Sequence, residues 1–201
     1  MKIFRFGLGI WIFAFLPLLP SLLRAGDATK QLSTTIDGFV PIISNTPREE
    51  LQANGMPESA RKLVLARFDF SEMTKRSLGQ HWKSLNPAEQ KQFVDAFTQW
   101  QLISYGRIVR SARGDEVQFN RELQDGKDVS VETKVVRRYS DDLPIDYWLH
   151  NVNGQWKVFN MVIDHVDITR NVNAQFERVI ARSSLQELLQ KVKDQNPHSL
   201  G

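Results

Sequence analysis

The sequence predicts an α+β domain in which a curved, four-stranded antiparallel meander is packed against helices. Up to about residue 110, apolar residues recur every three or four positions, as they do on one face of a helix. Beyond Gly114 the apolar period changes to two, which is typical of strands, and a helical period returns near the C-terminus. Two turn signals, Asp125-Gly126 and Asn153-Gly154, separate consecutive strands and favour an antiparallel sheet over a parallel one.

The first 25 residues have the pattern of a secretory signal peptide. Two basic residues precede an apolar run at positions 6–19, and Ala25 offers a small residue for cleavage. The run is shorter than the roughly 20 residues that span a bilayer. Pro17 and Pro20 also interrupt it, so an uncleaved membrane anchor is the less favoured alternative.

Export would set the domain boundaries and the location of the mature protein. We expect a periplasmic protein that begins near Gly26, with one domain over residues 26–195 and a flexible tail at 196–201. The chain contains no cysteine, so it has neither disulfides nor a cysteine for lipid attachment. We therefore expect a soluble, unanchored monomer.

The leader also accounts for the basic character of the chain. The formal net charge is +3, but three of the 26 Lys and Arg residues (Lys2, Arg5 and Arg24) lie in the leader, which leaves 23 against 23 Asp and Glu. Nucleic-acid binding needs a basic patch in the part of the chain that remains after the leader is removed. Only short pairs such as Arg137-Arg138 remain, which we interpret as a strand end, so no nucleic-acid partner is expected.

The first helices are predicted from their apolar positions. An apolar face over residues 32–43 indicates a helix, in which Gly38 and Pro41 predict a bend or break. Residues 45–56 are expected to form a loop or short helix, and residues around 63–68 a further helix. That apolar face consists of Leu32, Ile36, Phe39, Val40 and Ile43.

Capping residues define the next two helices. Ser71 is the predicted N-cap of a helix that turns Met73, Leu78 and Trp82 inward. The best-specified helix begins after Asn86, because Pro87 suits the first helical position and Glu89 completes a capping box. This helix carries a broad apolar stripe that must face an apolar interior: Phe93, Phe97, Trp100, Ser104 and Ile108.

Alternation assigns the inward-facing positions of the four strands. In chain order they are Val117, Phe119 and Leu123; Val129, Val131, Thr133 and Val135; Ile145, Tyr147 and Leu149; and Trp156, Val158 and Val162. Two helices close the chain. The first carries Val172, Phe176 and Val179, and the second is capped by Ser184 with Glu187 three residues later.

Few patterns in the sequence indicate chemistry. There is no thiol nucleophile, no metal-binding histidine pair, no nucleophile elbow and no phosphate-binding loop. The run Asp164-His165-Val166-Asp167 could supply a general base. It is better explained as a strand-to-helix exit, with Asp167 or Thr169 as the helix cap. Asp146 and His150 are likewise better explained as surface residues than as a catalytic dyad.

Several runs of the sequence resemble one known family. The runs are F-D-F-S-E-M from Phe68, L-G-Q-H-W from Leu78, N-P-A-E-Q-K-Q-F-V-D-A-F from Asn86, P-I-D-Y-W-L from Pro144, N-G-Q-W-K-V-F-N-M-V-I-D-H-V from Asn153 and R-N-V-N-A-Q-F from Arg170. In this order and spacing they resemble the MlaC, or toluene-tolerance, family of periplasmic phospholipid-binding proteins. Two positions depart from the family pattern: Asn160 replaces the usual aspartate, and His165 replaces a common glycine.

The resemblance implies a non-catalytic phospholipid carrier. Its pocket, between sheet and helices, would take the acyl chains of a phospholipid, the cargo, with no metal or other cofactor. Its partners would be an outer-membrane lipoprotein–porin complex and an inner-membrane ABC transporter with its substrate-binding membrane subunit. Such a shuttle would maintain the lipid asymmetry of the outer membrane.

Alternation, helical spacing and the resemblance together give the expected lipid-binding residues. They are Phe93, Phe97, Trp100, Val131, Val135, Ile145, Tyr147, Leu149, Trp156, Val158 and Val162. Two alternatives stay open at this point. A cavity-containing enzyme, such as an isomerase or dehydratase, would need Asp146, His150 or His165 to face the cavity. A non-binding periplasmic adaptor would have a solid core.

We predict cleavage of the leader near Ala25-Gly26. N-terminal sequencing of protein from the periplasmic fraction should begin near Gly26. Recovery of a chain that retains Met1 in the membrane fraction would contradict this expectation.

Overall fold

The computed structural model describes residues 26–111, 115–137 and 140–194, so the expected leader and tail lie outside it. Five helices come first: α1 (Asp27–Asn45), α2 (Arg48–Asn54), α3 (Glu58–Arg67), α4 (Phe70–Leu78) and, after a 3₁₀ turn at Gly79–Ser84, α5 (Pro87–Ser111). The sheet follows as β1 (Glu116–Asp125), β2 (Asp128–Val136), β3 (Leu143–Val152), β4 (Gln155–Ile163) and β5 (Val166–Asp167). Helices α6 (Ile168–Arg182) and α7 (Leu185–Lys193) close the described chain.

Helix α1 passes through Pro41 without the break that the sequence predicts. Pro41 removes one helical hydrogen bond, but Leu32 and Ile43 are buried on either side of it, and tertiary packing outweighs that local cost. Gly38 has a packing role. A Cβ atom there would lie 3.3 Å from the Leu63 side chain, so the glycine lets α3 approach α1 closely.

Helix α4 is capped by Asp69 and not, as predicted, by Ser71. The Asp69 carboxylate accepts a hydrogen bond from the Glu72 amide at 2.9 Å. Its second oxygen lies 3.0 Å from His150 Nε2 on β3, so one side chain both starts the helix and ties it to the sheet. Met73 and Leu78 are buried as predicted.

The predicted capping box at the start of α5 is confirmed. Asn86 Oδ1 accepts from the amides of Ala88 and Glu89 at 2.9 and 3.0 Å, and the Asn86 amide donates to the Glu89 carboxylate at 2.9 Å. Three of the helix's otherwise unpartnered backbone donors are therefore satisfied by two side chains.

The sheet is an antiparallel meander in the order β1-β2-β3-β4-β5, which adds a two-residue strand to the predicted four. Asn153 and Gly154 both have positive φ (52° and 85°), as the primed turns of two-residue hairpins require. The first hairpin turns one residue later than predicted, through Gly126 and Lys127, because Asp125 pairs with Asp128.

Two bulges reverse the side-chain alternation within the sheet. In β1 the register shifts between Phe119 and Arg121, which turns Leu123 outward (40% exposed) and places Glu122 opposite Val131. In β4, Leu149 pairs with Val158 whereas Trp148 pairs with Asn160, so Phe159 is the extra residue. The predicted inward orientations of Leu123 and Val162 are wrong for this reason.

The run from Asp164 to Asp167 is the strand-to-helix exit that the sequence favours. Asp164 and His165 have φ angles of 48° and 64°, and Asp167 caps α6 by accepting from the Arg170 amide at 2.9 Å. A glycine would adopt this left-handed backbone at position 165 without strain. Within residues 26–111, 115–137 and 140–194, no helix is long and apolar enough to cross a membrane.

We predict that Asn86→Ala lowers the free energy of unfolding by about 1 kcal/mol, because α5 loses its N-cap. Urea unfolding followed by circular dichroism measures this. Asn86→Ser, which keeps a cap acceptor, is the matched control and should retain most of the stability. Equal midpoints for Asn86→Ala and the unmodified protein would contradict the prediction.

Candidate functional site

An apolar cavity of about 160 Å³ lies between α1 and the inner face of the sheet. Helix α1 forms one wall with side chains three or four residues apart: Leu32, Thr35, Ile36, Phe39, Val40, Ile43 and Ser44. The facing strands contribute Val117, Val135, Ile145, Tyr147, Met161 and Ile163. Met56, Val64, Phe68, Tyr105 and Asp115 complete the lining. Carbon atoms dominate this surface, so it suits a hydrocarbon ligand.

The bulge at Phe159 determines which β4 residues reach the cavity. After the bulge, Met161 pairs with Tyr147 and Ile163 pairs with Ile145, so both lie on the inner face. Val162 pairs with Asp146 on the outer face. Met161 and Ile163 therefore take the place that strict alternation gives to Val162.

Three of the eleven residues expected to bind lipid line this cavity: Val135, Ile145 and Tyr147. Seven lie in the packed core beneath it, namely Phe93, Phe97, Trp100, Val131, Leu149, Trp156 and Val158. Val162 lies on the opposite face. Leu32, Val64 and Met161 belong to both core and cavity, so the two are continuous.

The aromatic stripe of α5 packs against α6 rather than against the cavity. The ring centroids of Phe97 and Trp100 each lie 6.3 Å from that of Phe176, and 5.9 Å from each other. These three rings fill the space between the two helices. Further along α5, Tyr105 reaches the cavity wall, where its ring lies 5.9 Å from Phe68.

The contribution of α1 is the part of the site that the sequence did not assign. Its apolar stripe predicts a helix face, but a core face and a cavity wall have the same spacing. Phe39 and Val40 are half-buried although their helix is packed on the sheet, and this exposure identifies the wall. No sequence signal distinguishes such a wall from a filled core.

A polar network holds the N-terminal half of α1 over the sheet. Arg67 of α3 donates to Thr35 Oγ1 at 2.9 Å, to Gln31 Oε1 at 3.1 Å and to the carbonyl of Trp156. The Trp156 amide donates to the same Gln31 oxygen at 3.0 Å. Partial burial lowers the pKa of Arg67 from its ordinary value. The network joins α1, α3 and β4 next to the cavity.

Two tyrosines are among the polar residues that line the cavity. Burial raises the pKa of Tyr147 to about 12. Burial also raises the pKa of Tyr105, and repulsion from the ionised form of Tyr147 raises it as well. Both hydroxyls are therefore neutral at physiological pH. Among the described residues the buried Tyr105 hydroxyl finds no hydrogen-bond partner, which is a cost of about 1–3 kcal/mol that an oxygen-bearing ligand could offset.

Asp146, His150 and His165, the residues that the enzyme alternative requires to face the cavity, do not line it. Asp146 is on the outer face of the sheet, where burial and the neighbouring Glu132 raise its pKa. His150 contacts Asp69 and packs against Phe159, while His165 lies in the exit turn. In the described part of the chain, no three His, Asp or Glu side chains are close enough together to hold a metal ion.

Comparisons with known proteins agree with this fold. The toluene tolerance protein ttg2D of Pseudomonas putida is 22% identical over 185 residues, covering 91% of this chain and 85% of that protein. A solved phospholipid-binding protein from Ralstonia solanacearum, in complex with a phospholipid, has a TM-score of 0.71 at 21% identity. It covers 87% of this chain and 99% of its own length, and it confirms the α+β fold with a curved antiparallel sheet.

A family model described as MlaC protein matches residues 34–194, which include α1 from about its third turn onward, the sheet, and both closing helices. The match contains every residue of the cavity wall except Leu32. This chain therefore belongs to the MlaC protein family.

Proposed function

We propose that this chain binds a phospholipid in the cavity between α1 and the sheet and carries it through the periplasm. The observation that carries the proposal is the apolar cavity, found in a chain of the MlaC family. Exposure of acyl chains to water costs about 0.8 kcal/mol per CH₂. Free diffusion of a two-chain lipid between membranes is therefore negligible, and a protein must cover the chains during transfer.

The cavity would have to widen as the lipid enters. Its volume of about 160 Å³ is below the roughly 300–1,000 Å³ of pockets for drug-sized ligands. The Arg67 network holds the N-terminal half of α1, whereas Ile43 of the C-terminal half belongs to a small separate cluster with Leu51 and Ala60. Outward movement of that C-terminal half would disturb less packing than movement of the whole helix.

The partially polar lining would orient the lipid. Acyl chains would lie along Ile36, Phe39 and Ile163, and the neutral hydroxyl of Tyr105 or Tyr147 would donate to an ester oxygen. A neutral donor suits an uncharged acceptor in an apolar site. The balance of charges in residues 26–201 would also limit non-specific attraction to anionic membrane surfaces.

Family membership supports the cellular part of the proposal. We infer that the carrier exchanges lipid with an outer-membrane lipoprotein–porin complex and an inner-membrane ABC transporter. Within that system it would help to maintain outer-membrane lipid asymmetry, without catalysing a reaction. The apolar lining and the distance of Asp146, His150 and His165 from it favour a carrier over an enzyme.

We predict that phospholipid copurifies with the protein. Native mass spectrometry should show a mass increment that disappears under denaturing conditions, and solvent extraction should release phospholipid. Protein that arrives at its bare mass even from gentle preparations would count against the carrier and favour an adaptor.

We also predict that three tryptophan substitutions in β4 have different effects. Ile163→Trp should reduce bound lipid with little loss of stability, because this half-buried side chain lines the cavity. Val158→Trp should cost about 1–3 kcal/mol or more, because Val158 is 0% exposed in the packed core. Val162→Trp, on the outer face, should change neither the amount of bound lipid nor the stability greatly.

The phospholipid-to-protein ratio and the urea midpoint of all three variants separate these outcomes. An Ile163→Trp protein with the full lipid content and a lower midpoint would show that the cavity is not the binding site.

A further inference from the structure

The carboxylate of Glu122 holds the first residues of α1. Its Oε1 atom lies 2.6 Å from the backbone nitrogen of Gly26, and its Oε2 atom accepts from the Thr29 amide at 2.9 Å. The Thr29 hydroxyl donates to the same Oε2 atom. Glu122 can make these contacts because the bulge in β1 turns it to the inner face, where it is half-buried.

The residue that Glu122 contacts first is the one at which the mature chain is expected to begin. Hydrolysis of the Ala25–Gly26 peptide bond breaks the C–N bond, gives the hydroxyl of water to the Ala25 carbonyl carbon, and leaves an amine on Gly26. Near neutral pH this α-amine takes up a proton, since its ordinary pKa is about 7.7–8.0. The Glu122 carboxylate would then face an ammonium group in place of a neutral amide.

We propose that Glu122 is the binding site for the α-ammonium group of the processed N-terminus. Processing exchanges a neutral hydrogen bond for a charge-assisted one, which is stronger. It also places a positive charge at the N-terminus of α1, where the helix macrodipole disfavours it. Glu122 compensates that charge from a neighbouring strand. Leader removal thereby fixes the start of the helix that forms the cavity wall.

The geometry at Gly26 fits a chain terminus. Gly26 has a φ angle of 112°, and no atom lies within 4 Å of a Cβ built on it. Before cleavage this backbone angle restricts the position to glycine. After cleavage no peptide bond precedes Gly26, so the φ restriction ends, while the exposed position leaves space for an ammonium group and its water.

Acetylation of the α-amine tests whether Glu122 is its partner. The change in melting temperature has opposite signs for a terminus that is paired with Glu122 and for one that has no anionic partner. In a helix whose terminus has no anionic partner, removal of the positive charge stabilises the helix. With Glu122 as partner, acetylation removes the ion pair and should lower the melting temperature by about 1–4 °C.

The experiment compares the exported protein, as purified, with its Glu122→Gln variant, each with a free or an acetylated N-terminus. Acetylation should lower the melting temperature of the unmodified protein but not that of Glu122→Gln. Asp27→Asn, which removes a carboxylate from the first turn of the same helix, is the matched control and should respond as the unmodified protein does. An unchanged or raised melting temperature on acetylation of the unmodified protein would overturn the proposal.

A second measurement does not require Glu122→Gln to fold. The pH dependence of α-amine labelling should give an α-amine pKa above about 7.7–8.0 for the chain that starts at Gly26. A chain that starts at Ala25 moves the amine away from Glu122 and should return the pKa to that range. Equal values for the two chains, or an exported protein whose mass shows another first residue, would refute the assignment. The readouts do not depend on lipid binding, so they can fail while the proposed carrier function stands.

Discussion

The position of α1 over the sheet is the constraint on which the rest of this structure depends. Arg67 reaches from α3 to Thr35 and to the backbone of β4, and Gln31 bonds to the same part of β4. These bonds lie beside the cavity, where water is partly excluded and a lost partner would leave buried polar groups unsatisfied. If α1 moved as a whole, the cavity would lose one wall and the chain would expose the apolar face of its sheet.

The core and the cavity divide the interior of one domain. Phe97, Trp100 and Phe176 fill the space between α5 and α6, where the sheet is backed by closely packed rings. At the other end of the sheet, α1 leaves a gap that side chains do not fill. The close packing gives the domain a stability that does not depend on the cavity being occupied. A binding protein must have that property if it releases its ligand and remains folded.

The sequence predicted the elements of the fold better than the wall of the site. Local backbone geometry determines the roles of Asn86, Asn153-Gly154 and Ser184. These roles could therefore be predicted from a few neighbouring residues. The bulges could not be predicted, because alternation assumes an uninterrupted period of two. The cavity lining also depends on which helix lies opposite each strand. The aromatic stripe of α5 was expected there, but α1 occupies that position.

The bulge in β4 means that the pairing register of the strand, and not only residue type, determines the chemistry of this pocket. If the unchanged residues of β4 paired without the bulge, strict alternation would send Met161 and Ile163 to the outer face and bring Asn160 and Val162 inward. The lining would exchange two large apolar side chains for an amide and a smaller valine. In related chains, the presence or absence of a bulge at this point could therefore change ligand preference as strongly as several substitutions, while every residue type remained the same.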